Sequence, residues 1–360
     1  MRIPLREREG LLRAMSVKSG GVSLRHETMH LHLRHTFATA RDAEDEAATL
    51  LLRLNADGED AIGESAPSSR YGDNIDSVAR QLDALDLSRI DLWHIDVVLN
   101  LLPLAQRAAM CALDLALHDL VGKRLGIPLY QYFGLDPAEA KRTSFTIGLA
   151  DIETMLSKTR EAAHLPILKV KLRAGNEIDT IEALRSSYTG TIRIDANEAW
   201  EPEQAVNVLR ELKRFDIEFC EQPIKAGQIP WLRYVHELSP IPILVDEDCR
   251  TLDDLAALAG FVDGVNIKLV KCGGIREAVR MIHTARALKL KVMLGCMIES
   301  SILATAAAHL TPLVDYADLD GPLLISDDPF DGVRYRDAKL ALPDAPGLGV
   351  KPKAAVKVGA

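Results

Sequence analysis

The sequence predicts an α/β protein: a closed (β/α) barrel preceded by a smaller α+β unit. Three observations carry this. Eight short apolar runs recur between residues 143 and 322, amphipathic helical stretches lie between most of them, and each repeat takes the ~20–30 residues of a βα unit. The residues before them read differently, as a few alternating strands followed by helices. Eight apolar strands in a βα rhythm favour a closed barrel over an open doubly wound sheet.

In chain order, residues 1–23, "MRIPLREREGLLRAMSVKSGGVS", read as a weakly structured N-terminal extension. They lack an apolar stretch long enough for a signal sequence. Residues 24–135 form the α+β unit. Here "ETMHLHLRH" alternates with the period of a strand, and "ATLLLRLNADGEDAIGESAP" reads as a hairpin turning at Asp57-Gly58. The stretch "LAQRAAMCALDLALHDLVGKRLGIPLYQYFG" reads as an amphipathic helix stopped by Gly126-Ile127-Pro128. Arg70-Tyr71 reads equally as a lid contact or a turn. His30 and His32 alternate on one strand and read as an exposed face rather than a metal site.

Residues 136–325 form the barrel, with strands at 143–149, 166–172, 191–195, 217–223, 241–248, 264–270, 291–297 and 316–322. Residues 326–360 carry hairpin and Pro/Gly signals and are expected to return to the N-terminal unit. Gly273-Gly274 reads as a tight loop into the next helix rather than a phosphate cradle.

Composition narrows the function. The chain has 360 residues, 26% of them charged, and a formal charge of −9. That balance argues against nucleic acid or an anionic membrane as main partner. No run of about 18 apolar residues is present, so no membrane span is expected. Five cysteines stand singly, without a CxxC pair, which fits a reducing, cytoplasmic compartment.

Chemistry in such a barrel collects at the C-terminal strand ends. The second strand ends with Lys169 and Lys171, the third with Asp195, the fourth with Glu221, the fifth with Asp246, and the sixth with Lys268, followed by Lys271. Glu299 follows the seventh strand, and the eighth ends with Asp318 and Asp320. Three acids converging near the barrel axis repel one another unless a cation sits among them, and an oxygen-only donor set favours a hard ion such as Mg²⁺. Strands two and six lie on opposite sides of an eight-stranded barrel, so Lys171 and Lys268 are expected to face each other across that ion. One would remove a proton α to a carboxylate and the other return one to the opposite face: a 1,1-proton transfer, hence racemisation or epimerisation. Lys169 beside Lys171 would depress the pKa of its neighbour.

The pieces "KVK", "IDANEAW", "EQP", "VDED" and "NIKLVKCGGI", together with "GESAPSSRYG" in the N-terminal unit, resemble the enolase superfamily, in particular its muconate-lactonizing subgroup. The likeness extends over nearly the whole chain after the first ~25 residues. It implies a modified (β/α)8 TIM-type barrel, (β/α)7β, with an α+β capping domain. It further implies Asp195, Glu221 and Asp246 as Mg²⁺ ligands and Lys171 and Lys268 as acid and base, with Lys169 assisting. "GCMIESS" and "DLDGPLL" resemble the dipeptide epimerases, which implies a small-molecule dipeptide as substrate and Asp318 and Asp320 as holders of its α-ammonium. Met297 is placed at the substrate by the same likeness. Glu299 either lines that site or braces Asp320. The cap loop "TFATARDAEDE" holds Arg41 and Asp42 where relatives select the second side chain, and Asp42 there would favour a neutral or basic one. Other subgroup activities remain as alternatives (N-acylamino-acid racemase, o-succinylbenzoate synthase, cycloisomerase), as does a non-catalytic metal-stabilised peptide-binding barrel. Homo-oligomerisation is left open.

Overall fold

A computed structural model describes residues 21–38 and 43–353. The cap is a three-stranded antiparallel sheet, β1 (Val22–Ala38), β2 (Ala43–Ala56) and β3 (Glu59–Ser65), in the order β1-β2-β3. The β2–β3 turn falls on Asp57 and Gly58, both at positive φ (55° and 85°), the backbone a tight two-residue hairpin needs. Three helices follow: α1 (Ile75–Asp83), α2 (Ile95–Leu99) and α3 (Arg107–Leu125). Asn74 and Ser77 cap α1 reciprocally, and Gly126 ends α3 in the left-handed region.

Helix α3 differs from the amphipathic helix expected. Every residue from Ala108 to Gly122 is buried. The helix is wedged between the cap sheet and the barrel, so it has no solvent face. Its polar groups are paired internally: Asp119 Oδ2 accepts from Ile62 N (2.9 Å) and Lys123 Nζ (2.8 Å), and Oδ1 accepts from Leu348 N (2.8 Å).

The barrel is one eight-stranded parallel sheet in sequential order: β4 (Phe145–Ile147), β5 (Ile167–Lys171), β6 (Thr191–Asp195), β7 (Ile217–Glu221), β8 (Ile243–Val245), β9 (Gly264–Lys268), β10 (Lys291–Gly295) and β11 (Tyr316–Asp318). A parallel bridge from Thr143 to Ala317, with Ser144 N donating to Ala317 O (3.2 Å), joins the last strand to the first. Seven helices follow the first seven strands: α4 (Ile152–Glu161), α5 (Glu177–Arg185), α6 (Pro202–Leu212), α7 (Ile229–Leu238), α8 (Leu252–Leu258), α9 (Ile275–Ala287) and α10 (Ser301–Ala308). After β11 there is only a four-residue turn, Gly321–Leu324, and the chain then returns to the cap, where Ser326 N donates to His32 O (2.8 Å). This is the (β/α)7β arrangement.

Inside the barrel, alternate residues of each strand face the axis. Phe219, Leu244, Met293 and Tyr316 form a small apolar floor, with the Arg193 guanidinium between the Phe219 and Tyr316 rings (5.1 and 5.0 Å to the centroids). The next inward positions toward the C-terminal ends are charged. Gly274, at φ 109°, forms a tight loop before α9, where a Cβ would meet Asp114 Oδ2 of α3 at 2.4 Å. Its lack of a side chain lets the cap helix dock on the barrel.

His30 and His32 are exposed on β1. His30 Nδ1 lies 2.5 Å from Glu46 Oε1, and His32 Nδ1 lies 2.6 Å from Asp327 Oδ2. Among the described residues no helix is long and apolar enough to cross a membrane, and all five cysteines are free.

Candidate active site

Strand register builds the site. Lys171, Asp195 and Glu221 are direct neighbours on β5, β6 and β7, and Lys268, Gly295 and Asp318 are neighbours on β9, β10 and β11. The charged residues therefore form one layer at the C-terminal mouth. Asp246 follows β8 directly. Period 2 on β5 aims both Lys169 and Lys171 into this layer, which is why a strand that looks dry in sequence carries two ammonium groups.

Asp195, Glu221 and Asp246 are almost completely buried. The Lys169 ammonium stands 3.0 Å from Asp195 Oδ2, 2.6 Å from Glu221 Oε2 and 2.7 Å from Asp318 Oδ2. Lys171 pairs with Asp195 Oδ2 at 2.6 Å, and Lys268 with Asp246 Oδ2 at 3.0 Å. Lys171 and Lys268 thus reach different acids from strands four places apart in a sheet of eight.

Burial alone would neutralise the acids, but for Asp195 and Asp246 the adjacent lysines outweigh it and hold the carboxyls well below the usual range. Glu221 goes the other way. Burial and then Asp195 push it up to about 7 against the pull of Lys169. Burial lowers the Lys169 and Lys268 pKa values, yet the facing carboxylates overcome it and keep both above the ordinary lysine value.

Among the described residues no three acidic, His or Cys side chains already close a cage around one point. The acids are bridged by ammonium groups instead. The donor set still suits a hard cation. It is all oxygen, and Glu221 Oε2 is buried with no hydrogen bond, meeting only the Lys169 charge. Its other oxygen, Oε1, accepts from Asn266 Nδ2 at 2.8 Å. Asn266 fits there because residue 295 is glycine, where a Cβ would meet Asn266 Oδ1 at 2.5 Å.

Asp318 and Asp320 are held by the first barrel strand. Ser144 Oγ donates to Asp318 Oδ1 (2.5 Å), and Thr146 N donates to Asp320 Oδ2 (2.6 Å). Burial, then Asp318, push Asp320 up to about 6. A cavity of about 750 Å³ opens above this layer between barrel and cap, lined by Lys169, Lys171, Lys268, Asp318 and Asp320 from below. Tyr71, Phe37 and Glu44 line it from the cap. Met297 is in the wall, its Sδ 3.9 Å from Lys268 Nζ.

The structure does not bring Glu299 to this cavity as a lining residue. It is fully buried behind the wall, where its Oε2 accepts from Met297 N (3.1 Å), and burial followed by nearby Glu64 raises its carboxyl well above the ordinary value. The backbone after β10 turns the side chain inward, against Gly321, while Met297 takes the cavity face. Arg41 and Asp42 lie outside the described residues.

Sequence reasoning missed Ser144 and Thr146. Their small hydroxyl side chains at period 2 in "TSFTIG" were the available signal. It also left Lys271 without a role. Its buried Nζ is bound to Asp246 O (2.6 Å), Cys249 O (2.9 Å) and Asn266 O (3.2 Å), and it pairs with Asp246 Oδ1. It therefore ties the β8 end to the β9 end.

Comparison with known proteins agrees with this architecture. Residues 22–134 match the family described as mandelate racemase / muconate lactonizing enzyme, N-terminal domain, and residues 152–356 match enolase C-terminal domain-like proteins. The L-Ala-D/L-Glu epimerase of Bacteroides thetaiotaomicron is 40% identical over 326 residues, 89% of this chain and 85% of that protein. The L-Ala-D/L-amino acid epimerase of a Maribacter species is 37% identical over 325 residues, 89% of this chain and 96% of that protein. The structure of a dipeptide epimerase from Enterococcus faecalis V583, complexed with Mg and the dipeptide L-Leu-L-Tyr, superposes with a TM-score of 0.86 at 30% identity, covering 91% of this chain and 98% of that one. These matches cover both the cap and the barrel, and the chain belongs to the mandelate racemase/muconate lactonizing enzyme family of the enolase superfamily.

Proposed function

We propose that this protein is a Mg²⁺-dependent dipeptide epimerase that inverts the α-carbon of the C-terminal residue of an L,X-dipeptide. The observation that carries the reading is the placement of Lys171 and Lys268. They enter one cavity from strands four places apart, each beside a different acid. Two amines that approach one carbon from opposite sides can take a proton from one face and return it to the other. A binding protein needs neither.

Asp195, Glu221 and Asp246 would hold the ion, and Asp318 with Asp320 would hold the substrate's α-ammonium. The chemistry a bound Mg²⁺ supplies is Lewis-acid relief of the charge that develops on the substrate carboxylate. Lys171 and Lys268 move the proton. Lys169, held charged by Asp195, Asp318 and Glu221, places a fixed positive charge next to Lys171. Two carboxylates lining the cavity beside the lysines favour a free amino terminus over an acylated one, which separates this reading from an N-acylamino-acid racemase. The division into a cap of residues 24–135, a barrel of 136–325 and a returning C-terminal segment belongs to the same proposal, as does the reducing compartment suggested by five free cysteines.

The test is a dipeptide library incubated in D₂O with Mg²⁺ and read by mass. Uptake of one deuteron at the C-terminal residue's α-carbon, in both epimers, is expected. Undiminished exchange of N-acetylated dipeptides would move the assignment to an acylamino-acid racemase, and no exchange with any member would remove epimerisation.

A further inference from the structure

We infer that Arg70 and Glu198 form a pin that fixes the cap over the substrate cavity and acts as a positioning pair for the epimerisation proposed above, on which this inference rests. Arg70 and Tyr71 are consecutive residues of a single 3-10 turn, Ser69–Tyr71, in the loop between β3 and α1, and Gly72 ends that turn at φ 83°. The two side chains reach two different barrel loops. Arg70 Nη2 lies 2.5 Å from Glu198 Oε2. The Tyr71 ring carries the Arg250 guanidinium at 4.8 Å from its centroid.

Both barrel partners follow closely behind acids of the site. Glu198 is three residues after Asp195, and Arg250 is four after Asp246. The cap turn is therefore registered on the loops that leave β6 and β8. The loop after β6 is unusual. Asn197 and Glu198 are consecutive non-glycine residues in the left-handed region, at φ 44° and 70°. Such backbone persists only where its surroundings hold it. Here Asn197 N donates to Asp195 Oδ1 (2.9 Å), Glu198 N donates to Gln222 O (2.9 Å), and Glu198 Oε1 accepts from Ala226 N (2.8 Å). That geometry leaves Oε2 aimed at the cap.

Exposed ion pairs contribute little, but this one is shielded on one side: the Glu198 side chain is 9% exposed and that of Arg70 34%. The pin fixes Tyr71, which lines the cavity together with Lys268 and Asp246. Arg70 lines the same cavity, and Glu198 braces it from the loop after β6 as the other half of the pair. Its loss is felt as a cap that no longer closes on substrate, not as a lost base.

The experiment compares Arg70→Gln, Glu198→Gln and the double variant, with Arg70→Lys as the conservative control, all folded by circular dichroism and read by α-proton exchange and Mg²⁺ titration calorimetry. Each single charge-neutralising variant is expected to raise KM about tenfold with kcat within about threefold, the size of one shielded ion pair. The double variant should be no worse than the poorer single, Arg70→Lys should recover most of the loss, and Mg²⁺ affinity should not move. Deuterium uptake in the peptide around residues 66–75 should rise in Glu198→Gln. Unchanged KM in a folded Glu198→Gln, additive losses in the double variant, or unchanged uptake in that peptide overturns the pin. If wild type exchanges no α-proton at all, the epimerase reading fails instead, and the deuterium-uptake comparison still decides the pin by itself.

Discussion

Glu64 of the cap sheet serves as the acceptor at the start of barrel helix α10. Its Oε1 accepts from Ser300 N (3.0 Å), and its Oε2 accepts from Ser300 Oγ (2.7 Å) and Leu303 N (3.0 Å). A carboxylate at a helix N-terminus complements the unpaired amides and the positive end of the dipole. This one comes from a strand 236 residues earlier in the chain, and so fastens cap to barrel behind the loop that carries Met297. Glu64→Gln turns an acceptor into a donor against those amides and is expected to destabilise the fold by about 1–3 kcal/mol. Urea unfolding by circular dichroism measures it. A midpoint equal to wild type would show that the contact contributes nothing.

Replacing either proposed base should stop epimerisation. Lys171→Ala and Lys268→Ala are each expected to lower turnover by roughly 10²–10⁴ or more, the usual contribution of a positioned acid or base. A base that only removes or only returns the proton leaves a signature, because one epimer can still exchange its α-proton after the other amine is lost. Proton NMR of each epimer separately in D₂O checks this. Wild-type interconversion in Lys268→Ala would end the two-base scheme.

The proposed ammonium clamp predicts a binding defect. Asp320 lines the cavity and keeps its place through Thr146 N, a bond an asparagine oxygen can still accept. Asp320→Asn removes one charge from the pair and should raise KM for free dipeptides roughly ten- to a hundredfold, the worth of a charge-assisted hydrogen bond, with Mg²⁺ affinity unchanged. Steady-state kinetics beside titration calorimetry separates the two.

Chelation should silence the protein reversibly. EDTA is expected to abolish α-proton exchange and Mg²⁺ to restore it. Glu221→Gln should weaken Mg²⁺ binding by at least about tenfold in calorimetry, since it takes one of three carboxylates from the donor set. Mg²⁺ affinity in Glu221→Gln equal to wild type would place the ion elsewhere.

His309 sets a pH limit on stability. Its Nε2–H donates to Leu348 O (3.0 Å) and its Nδ1 accepts from Tyr130 N (3.3 Å), so the neutral ring is the one that fits. Burial lowers its pKa to about 4. The folded-state value lies below the unfolded value of about 6.5, so between those pH values the unfolded chain binds the extra proton. The stabilisation is complete above about pH 6.5 and is lost as pH falls toward 4, by about 3 kcal/mol in all. Urea unfolding at pH 7 and pH 5 should show a drop that is smaller in His309→Asn. An equal drop in both would acquit the histidine.

How far the sequence revealed this depends on the residue. The barrel strands were legible because each is a short apolar run and most of them end in a charge, and alternation alone placed Lys169 and Lys171 on one face. The hairpin was legible from Asp57-Gly58. Helix α3 was misread because its two apolar flanks bury against different partners, and sequence periodicity reports only one. Glu299 reads as a member of a motif at the mouth, but the backbone after β10 decides which way its side chain points. Ser144 and Thr146 left only a period-2 pair of hydroxyl residues as a signal, because their role is to bond residues some 174 positions away across the barrel seam, a relation that exists only after closure.

That seam has a consequence for assembly during synthesis. Asp318 and Asp320 sit on the last strand to be made, and Ser144 and Thr146, which orient them, sit beside the first. A nascent or nicked barrel lacking its final strand would display the lysines and the earlier acids yet lack the proposed seat for an amino terminus. With the proposed clamp, recognition of the substrate is reserved for a finished cylinder, and any ligand that grips those two aspartates should resist the unzipping of β11 from β4.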